Sequence, residues 1–175
     1  MKWFLRIFAA SCLSIGLALA LSFIPAWHSN AVKDQQALPV QSNIQLTNGN
    51  LVDYLVELPI LLNYDRVNWE HQTLYLDLLI NDTLYSKQQI QHDLYEICYF
   101  GLVEVNNIRN IRVRVMLKEP HVKQSKLVMA MDAKPSAEAV EQLKNSRKSG
   151  GAPPVFLQAY TNLTYTNLWK NLNPS

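Results

Sequence analysis

Apolar and polar positions divide this chain into three regimes. From Ile7 to Trp27 no charged residue occurs. As a helix rising 1.5 Å per residue, that run would reach about 30 Å, the thickness of a bilayer core. Residues 28–45 mix small and polar residues with Pro39 and hold no period, which predicts a stalk. Beyond them, periods of 3.6 and of 2 alternate.

In "LVDYLVELP", Leu51, Tyr54, Leu55 and Leu58 keep helical spacing until Pro59. "RVNW" and "TLYLDLLI" read as two extended pieces around the polar turn "EHQ". The second puts Leu74, Leu76, Leu78 and Ile80 on one face, with Tyr75 and Asp77 on the other. Ser86 followed by Gln89 is a capping box that opens a helix. On that helix Ile90, Leu94, Ile97 and Gly101 share a narrow arc with Cys98 at its edge, and Gln88, His92, Glu96 and Tyr99 lie opposite. "IRNIRVRVMLK" is a strand with Ile111, Val113, Val115 and Leu117 inward and Arg112, Arg114 and Met116 outward. "KLVMAMD" is its expected antiparallel hairpin partner. Pro135 then opens a second helix, stopped by "SGGAPP". The tail "VFLQAYTNLTYTNLWKNLNPS" repeats YTNL at a five-residue offset that fits no repeat architecture, so it reads as a docking strand or short tail segment.

Together these elements predict an α+β fold: one N-terminal transmembrane helix, then a small antiparallel or mixed sheet with two or three helices on one face. The expected plan is an anchor or uncleaved signal over 1–27, a stalk over 28–45, an extracytoplasmic domain over 46–149, and a linker with a C-terminal tail or docking strand over 150–175.

Charge orients the N-terminal run. Lys2 and Arg6 precede it, which keeps that end cytoplasmic and the remainder outside. Trp3 and Trp27 fall near its ends, at headgroup level, so Lys2, Trp3, Arg6 and Trp27 are the expected membrane-interface anchors. The competing reading is a signal peptide cleaved near Ala31, after Pro25 and the small residues of "SNA", which would leave a secreted domain. An apolar core longer than the usual signal favours retention on the membrane. Both readings export the domain.

Net charge is +2, and the two halves of the chain are opposite in sign. Residues 32–104 carry three basic against ten acidic groups, and residues 105–175 carry eleven against four. The simplest expectation is that the halves compensate when they fold together. The sharper one is a basic face that meets an anionic partner. The main basic cluster is Arg109, Arg112, Arg114 and Lys118, with Lys123 and Lys126 beyond it. Anionic lipid, a wall polymer or an acidic protein surface would suit it. Nucleic acid would not, because the chain has no strong basic excess and the cluster lacks interleaved aromatics.

Catalytic chemistry finds little support. The chain has no G-x-S-x-G, P-loop, G-x-G-x-x-G or S-x-x-K motif, and no glycine cluster precedes a predicted helix. His92 and Glu96 stand four apart on one helix face, a spacing more typical of a surface ion pair than of a metal site. Cys98 beside the apolar arc reads as a small buried residue rather than a nucleophile. Two cysteines, one of them in the apolar run, make no disulfide framework. Asp77 is expected to face Arg112 or Arg114 if their strands are neighbours. No catalytic residue, metal or cofactor is assigned.

The run "VNWEHQTLYLDLLINDTLYSKQQIQHDLYEICYFGLVEVNNIRNIRVRV", residues 67–115, has a strand with the step Leu76, Asp77, Leu78, then a turn, a helix and an Asn-rich lead into a strand. In this order it resembles the C-terminal part of GerMN-type modules of spore-forming Gram-positive bacteria. The resemblance implies a non-enzymatic module that assembles with other envelope proteins, and it transfers no site residue. The expected function is therefore that of a membrane-anchored, extracytoplasmic interaction or assembly protein. The alternatives are a hydrolase with an unrecognised site and a ligand-binding sensor.

Overall fold

The computed structural model describes residues 44–80, 86–119, 124–150 and 153–172, which belong to one compact unit, Ser42–Ser175. In chain order the elements are α1 (Leu51–Val56), β1 (Asn63–Glu70), β2 (Thr73–Ile80), α2 (Lys87–Tyr99), a π-helical turn (Phe100–Glu104), β3 (Asn110–Leu117), β4 (Lys126–Ala133), α3 (Ala137–Ser149), α4 (Pro153–Tyr160), β5 (Thr161–Tyr165) and α5 (Asn167–Leu172).

The five strands form one mixed sheet in the order β1-β2-β3-β4-β5. Neighbours are antiparallel except β2 and β3, which run parallel with α2 as the crossover between them. A parallel pair requires such a crossover, whereas the antiparallel pairs close locally. The β1–β2 hairpin turns on His71 and Gln72, both at positive φ (49° and 60°), as a two-residue type I′ loop demands.

Period-2 patterning separates the two sheet faces. Leu74, Leu76 and Leu78 stand beside Ile111, Val113 and Val115, which stand beside Ala133, Met131 and Met129. All nine are buried, and the helices cover this face. Ser86 caps α2 in the expected way: its Oγ accepts from the Gln89 amide at 3.2 Å and its own amide donates to Gln89 Oε1 at 2.9 Å. Ile90, Leu94, Ile97 and Cys98 then sit in the core, with Cys98 Sγ 3.7 Å from Met131 Sδ. Gly101 lies against Ile111, where an added Cβ would come within 2.5 Å of Ile111 Cδ1. Ser136 caps α3 and Gly150, at φ 67°, ends it in the left-handed conformation. The Tyr95 ring packs edge-on against Phe156 of α4, at 5.8 Å between centroids.

The expected architecture needs two corrections. None of the helices among the described residues is long and apolar enough to cross a membrane. The longest, α2 and α3, have 13 residues each, about 20 Å, and are amphipathic. The predicted transmembrane helix is therefore absent from the described fold, and the segment to which the sequence assigned it, with Lys2, Trp3, Arg6 and Trp27, lies outside the described residues. Among the described residues the helix count also rises from two or three to five α-helices, because the chain from Pro153 to Leu172 folds as helix, strand, helix. Paired prolines at the start of α4 suit a first helical turn, whose amides lack partners in any case. Thr166 then closes β5 onto β4, with its amide donating to the Val128 carbonyl at 3.1 Å and its hydroxyl to the same oxygen at 2.7 Å.

Candidate functional site: the open face of the sheet

Opposite the helices, the second sheet face forms a concavity of about 480 Å³ lined only by strand residues. Its geometry follows from register. One rung runs Asn68–Tyr75–Arg112–Asp132–Asn162 across all five strands, and the next runs Arg66–Asp77–Arg114–Ala130–Thr164. With strands about 4.8 Å apart and rungs two residues apart, this grid is about 19 Å wide with rungs about 7 Å apart. Ala130 is the smallest side chain on either rung, and it leaves the hollow beside Arg114.

Within the grid two of the three arginines, Arg112 and Arg114, are held by carboxylates. Arg114 Nε and Nη2 donate to the two oxygens of Asp77 at 2.7 and 2.6 Å. That hydrogen bond, reinforced by the charge of Asp77, raises the Arg114 pKa. Arg112 Nε donates to Asp132 Oδ2 at 3.1 Å, and its guanidinium lies 5.8 Å from the Tyr75 ring centroid. The buried Asn110 side chain donates from Nδ2 to the same Asp132 oxygen at 3.3 Å. Arg66 forms no ion pair among the described residues. Three arginines against two aspartates leave the two rungs at +1, and about half of each side chain of Arg112 and Arg114 remains exposed.

The predicted basic cluster is thus divided. Arg112 and Arg114 share the concavity, and Asp77 meets Arg114 as the cross-strand expectation allowed. Arg109 and Lys118 are exposed but stand at opposite ends of β3, nine residues or about 30 Å apart, and neither lines the hollow. Arg66, on the other side of the sequence's charge divide, takes their place in it. Only the register of β1 against β2 reveals this, and a sequence scan confined to one strand misses it.

A second cleft, of about 280 Å³, lies where α1, α2 and the π-turn meet, with Glu57, Glu96, Glu104, Tyr54, Tyr99 and Arg147 among its lining residues. Burial pushes the Glu104 carboxyl up, the charge of Arg147 pulls it down, and that of Glu96 raises it further. Arg147 Nη1 lies 3.4 Å from Glu96 Oε2, and its guanidinium is 4.0 Å from the Tyr99 ring centroid. The helix face expected to be free is therefore covered at Glu96 and Tyr99. The Asp77–Arg114 and Glu96–Arg147 pairs both join the acidic half of the chain to the basic half.

Other residues singled out from sequence have structural surroundings. His92 is half exposed, 3.7 Å from Asp93 Oδ1 and 3.9 Å from Glu96 Oε1, and no group of three potential metal ligands occurs among the described residues. Burial drives the Cys98 thiol pKa upward, away from the thiolate a nucleophile needs. Asp93 was missed. It is fully buried and its Oδ2 accepts from the amides of Leu61 and Leu62 at 2.9 and 2.7 Å, pinning the segment before β1 to α2. Its position three residues after Ile90, at the border of the apolar arc, was the available signal.

No family model, no curated protein and no solved structure matches this chain.

Proposed function

We propose that this chain is an exported, non-catalytic interaction domain that takes an acidic surface of an envelope protein onto the open face of its sheet. One observation carries the reading: two full-width rungs present Arg66, Arg112 and Arg114 on a sheet face to which no described helix contributes a lining residue. Two guanidinium groups oriented by carboxylates and a third, that of Arg66, without an ion pair among the described residues, beside planar amides and a tyrosine, suit carboxylate recognition. The likeness of residues 67–115 to GerMN-type modules points the same way, and the basic start with its apolar run supports export.

A hydrolase built on the second cleft is the competing reading, favoured by the raised Glu104 carboxyl. Against it, Arg147 already engages Glu96 and Tyr99, so the cleft has the form of an ion-paired helix junction.

Site-specific photocrosslinking in the native envelope tests the proposal. A crosslinker at Thr164, on the open face, should yield one salt-sensitive protein adduct that Arg112→Gln, which leaves β1 untouched, strongly weakens. The same crosslinker at Val155, exposed on α4, should yield none. Equal adducts from both positions, or turnover of a wall or lipid substrate by the purified chain, would overturn it.

A further inference from the structure

Strand β1 is an edge of the sheet, so one side of its backbone has no strand partner among the described residues. The loop fixes which groups point that way. In a two-residue hairpin the residues flanking the turn, Glu70 and Thr73, form a hydrogen-bonded pair. By alternation Asn68 and Arg66 also turn their amides and carbonyls toward β2, while Trp69 and Val67 direct theirs outward. Side chains alternate with the same period. Arg66, Asn68 and Glu70 are exposed, and Val67 and Trp69 are half-buried at the rim of the core.

A second β1, antiparallel and related by a two-fold axis through Asn68, complements this edge at every position it reaches. Val67 of each copy would oppose Trp69 of the other, using the outward amides and carbonyls of both and covering their half-buried side chains. Arg66 of each would oppose Glu70 of the other, opposite charges on the same sheet face. Glu70 has a 3.5 Å contact with the exposed His71 imidazole, which leaves it open to a stronger cationic partner. Shifting the axis by half a residue toward the hairpin loop breaks the match: it sets Arg66 against His71 and Glu70 against Val67. The bulge after Tyr64 ends regular pairing just beyond Arg66.

We infer that the chain self-associates through β1, with the partner a second copy of this chain in that single register. Two five-stranded sheets then join into one of ten strands, and each open-face rung that ends at Asn68 continues into the rung of the other copy. Charged edge residues ordinarily discourage edge pairing. Here their order along the strand makes one symmetric pairing attractive.

Disulfide trapping of the full-length chain in mild detergent, in a Cys12→Ser background, tests the inference. Asn68 faces its own copy as a pair not hydrogen-bonded to each other, about 4.5 Å between Cα atoms, within disulfide reach. Asn68→Cys should give a crosslinked dimer on mild oxidation, and Asn162→Cys on the opposite edge strand should not. Adding Arg66→Glu or Glu70→Arg alone should lower the dimer yield about tenfold, since each creates two like-charge pairs. Combining both should restore it, a rescue that misfolding cannot imitate. Crosslinking no greater than that of Asn162→Cys overturns the inference, and so does crosslinking indifferent to the charge exchanges.

Discussion

Arg114 grips Asp77 across the parallel β2–β3 seam with two hydrogen bonds, one to each carboxylate oxygen, at 2.7 and 2.6 Å. Asp77 is almost fully buried, while about half of the Arg114 side chain is exposed. Screening on the arginine side therefore holds the coupling to about 1 kcal/mol, short of the 3–5 kcal/mol lost when a fully buried pair is broken. A double-mutant cycle of Asp77→Asn and Arg114→Gln in urea unfolding should return that value, with Arg114→Lys recovering less than half. Strict additivity of the two single changes would contradict the pairing.

Asp93 accepts two backbone amides from inside the protein, so its loss strands both donors. Asp93→Ala should cost about 2–4 kcal/mol in denaturant unfolding, and Asp93→Asn, which keeps a carbonyl acceptor, should cost less. Equal losses for the two would mean that the negative charge of the carboxylate, which asparagine lacks, and not a carbonyl acceptor alone, holds residues 61 and 62 in place.

His71 and Gln72 occupy left-handed conformations without being glycine or asparagine. The replacement His71→Asn with Gln72→Gly suits a type I′ loop better, and should raise stability by about 0.5–1 kcal/mol after the entropy of the new glycine is counted. The expected signature is a higher denaturant midpoint at an unchanged m-value.

At Gly101 the opposite holds. Gly101→Ala drives a methyl into Ile111 and Ile108 and should cost about 1–3 kcal/mol. Ile111→Val removes the Cδ1 that the new methyl would strike, so the double variant should be more stable than the sum of the two single losses predicts.

Glu104 supplies the pH test. Its pKa is raised by burial first, so the folded chain keeps this proton to higher pH than the unfolded chain. The associated stability is present in acid and is lost as pH rises from the usual glutamate range through the folded-state pKa. Wild type should accordingly lose stability relative to Glu104→Gln over that window, as read from paired urea titrations. A difference that is flat or grows with pH would contradict the raised pKa.

Local signals carried much of the fold. The alternation in "TLYLDLLI" and "IRVRVML", the Ser86–Gln89 capping box and the break after Ser149 each depend on neighbours in sequence, and each element formed where those signals stood. What escaped was set by contacts between distant segments. Arg66 joined the candidate site through the β1–β2 register, and Asp93 was buried because residues 61 and 62 arrive from another part of the chain. The tail was ambiguous because α4, β5 and α5 are each too short to establish a period, and sheet pairing with β4 decides their form. The expected membrane-crossing helix rested on the length of one uncharged run, its basic flank and its terminal tryptophans, with no contact to a distant segment to test it. No helix among the described residues is long and apolar enough to cross a membrane.

The one parallel seam in the sheet also sets a clock. Both flanking hairpins can close from nearby residues, but β2 and β3 meet only after the chain from Ile80 to Asn110 has been threaded over the helical face. The Asp77–Arg114 grip bridges that seam, so it can form only once this crossover has closed, and we expect it to follow the rate-limiting step. Weakening it should leave the folding rate nearly untouched and hasten unfolding, so that the pair serves the lifetime of the folded domain more than its formation.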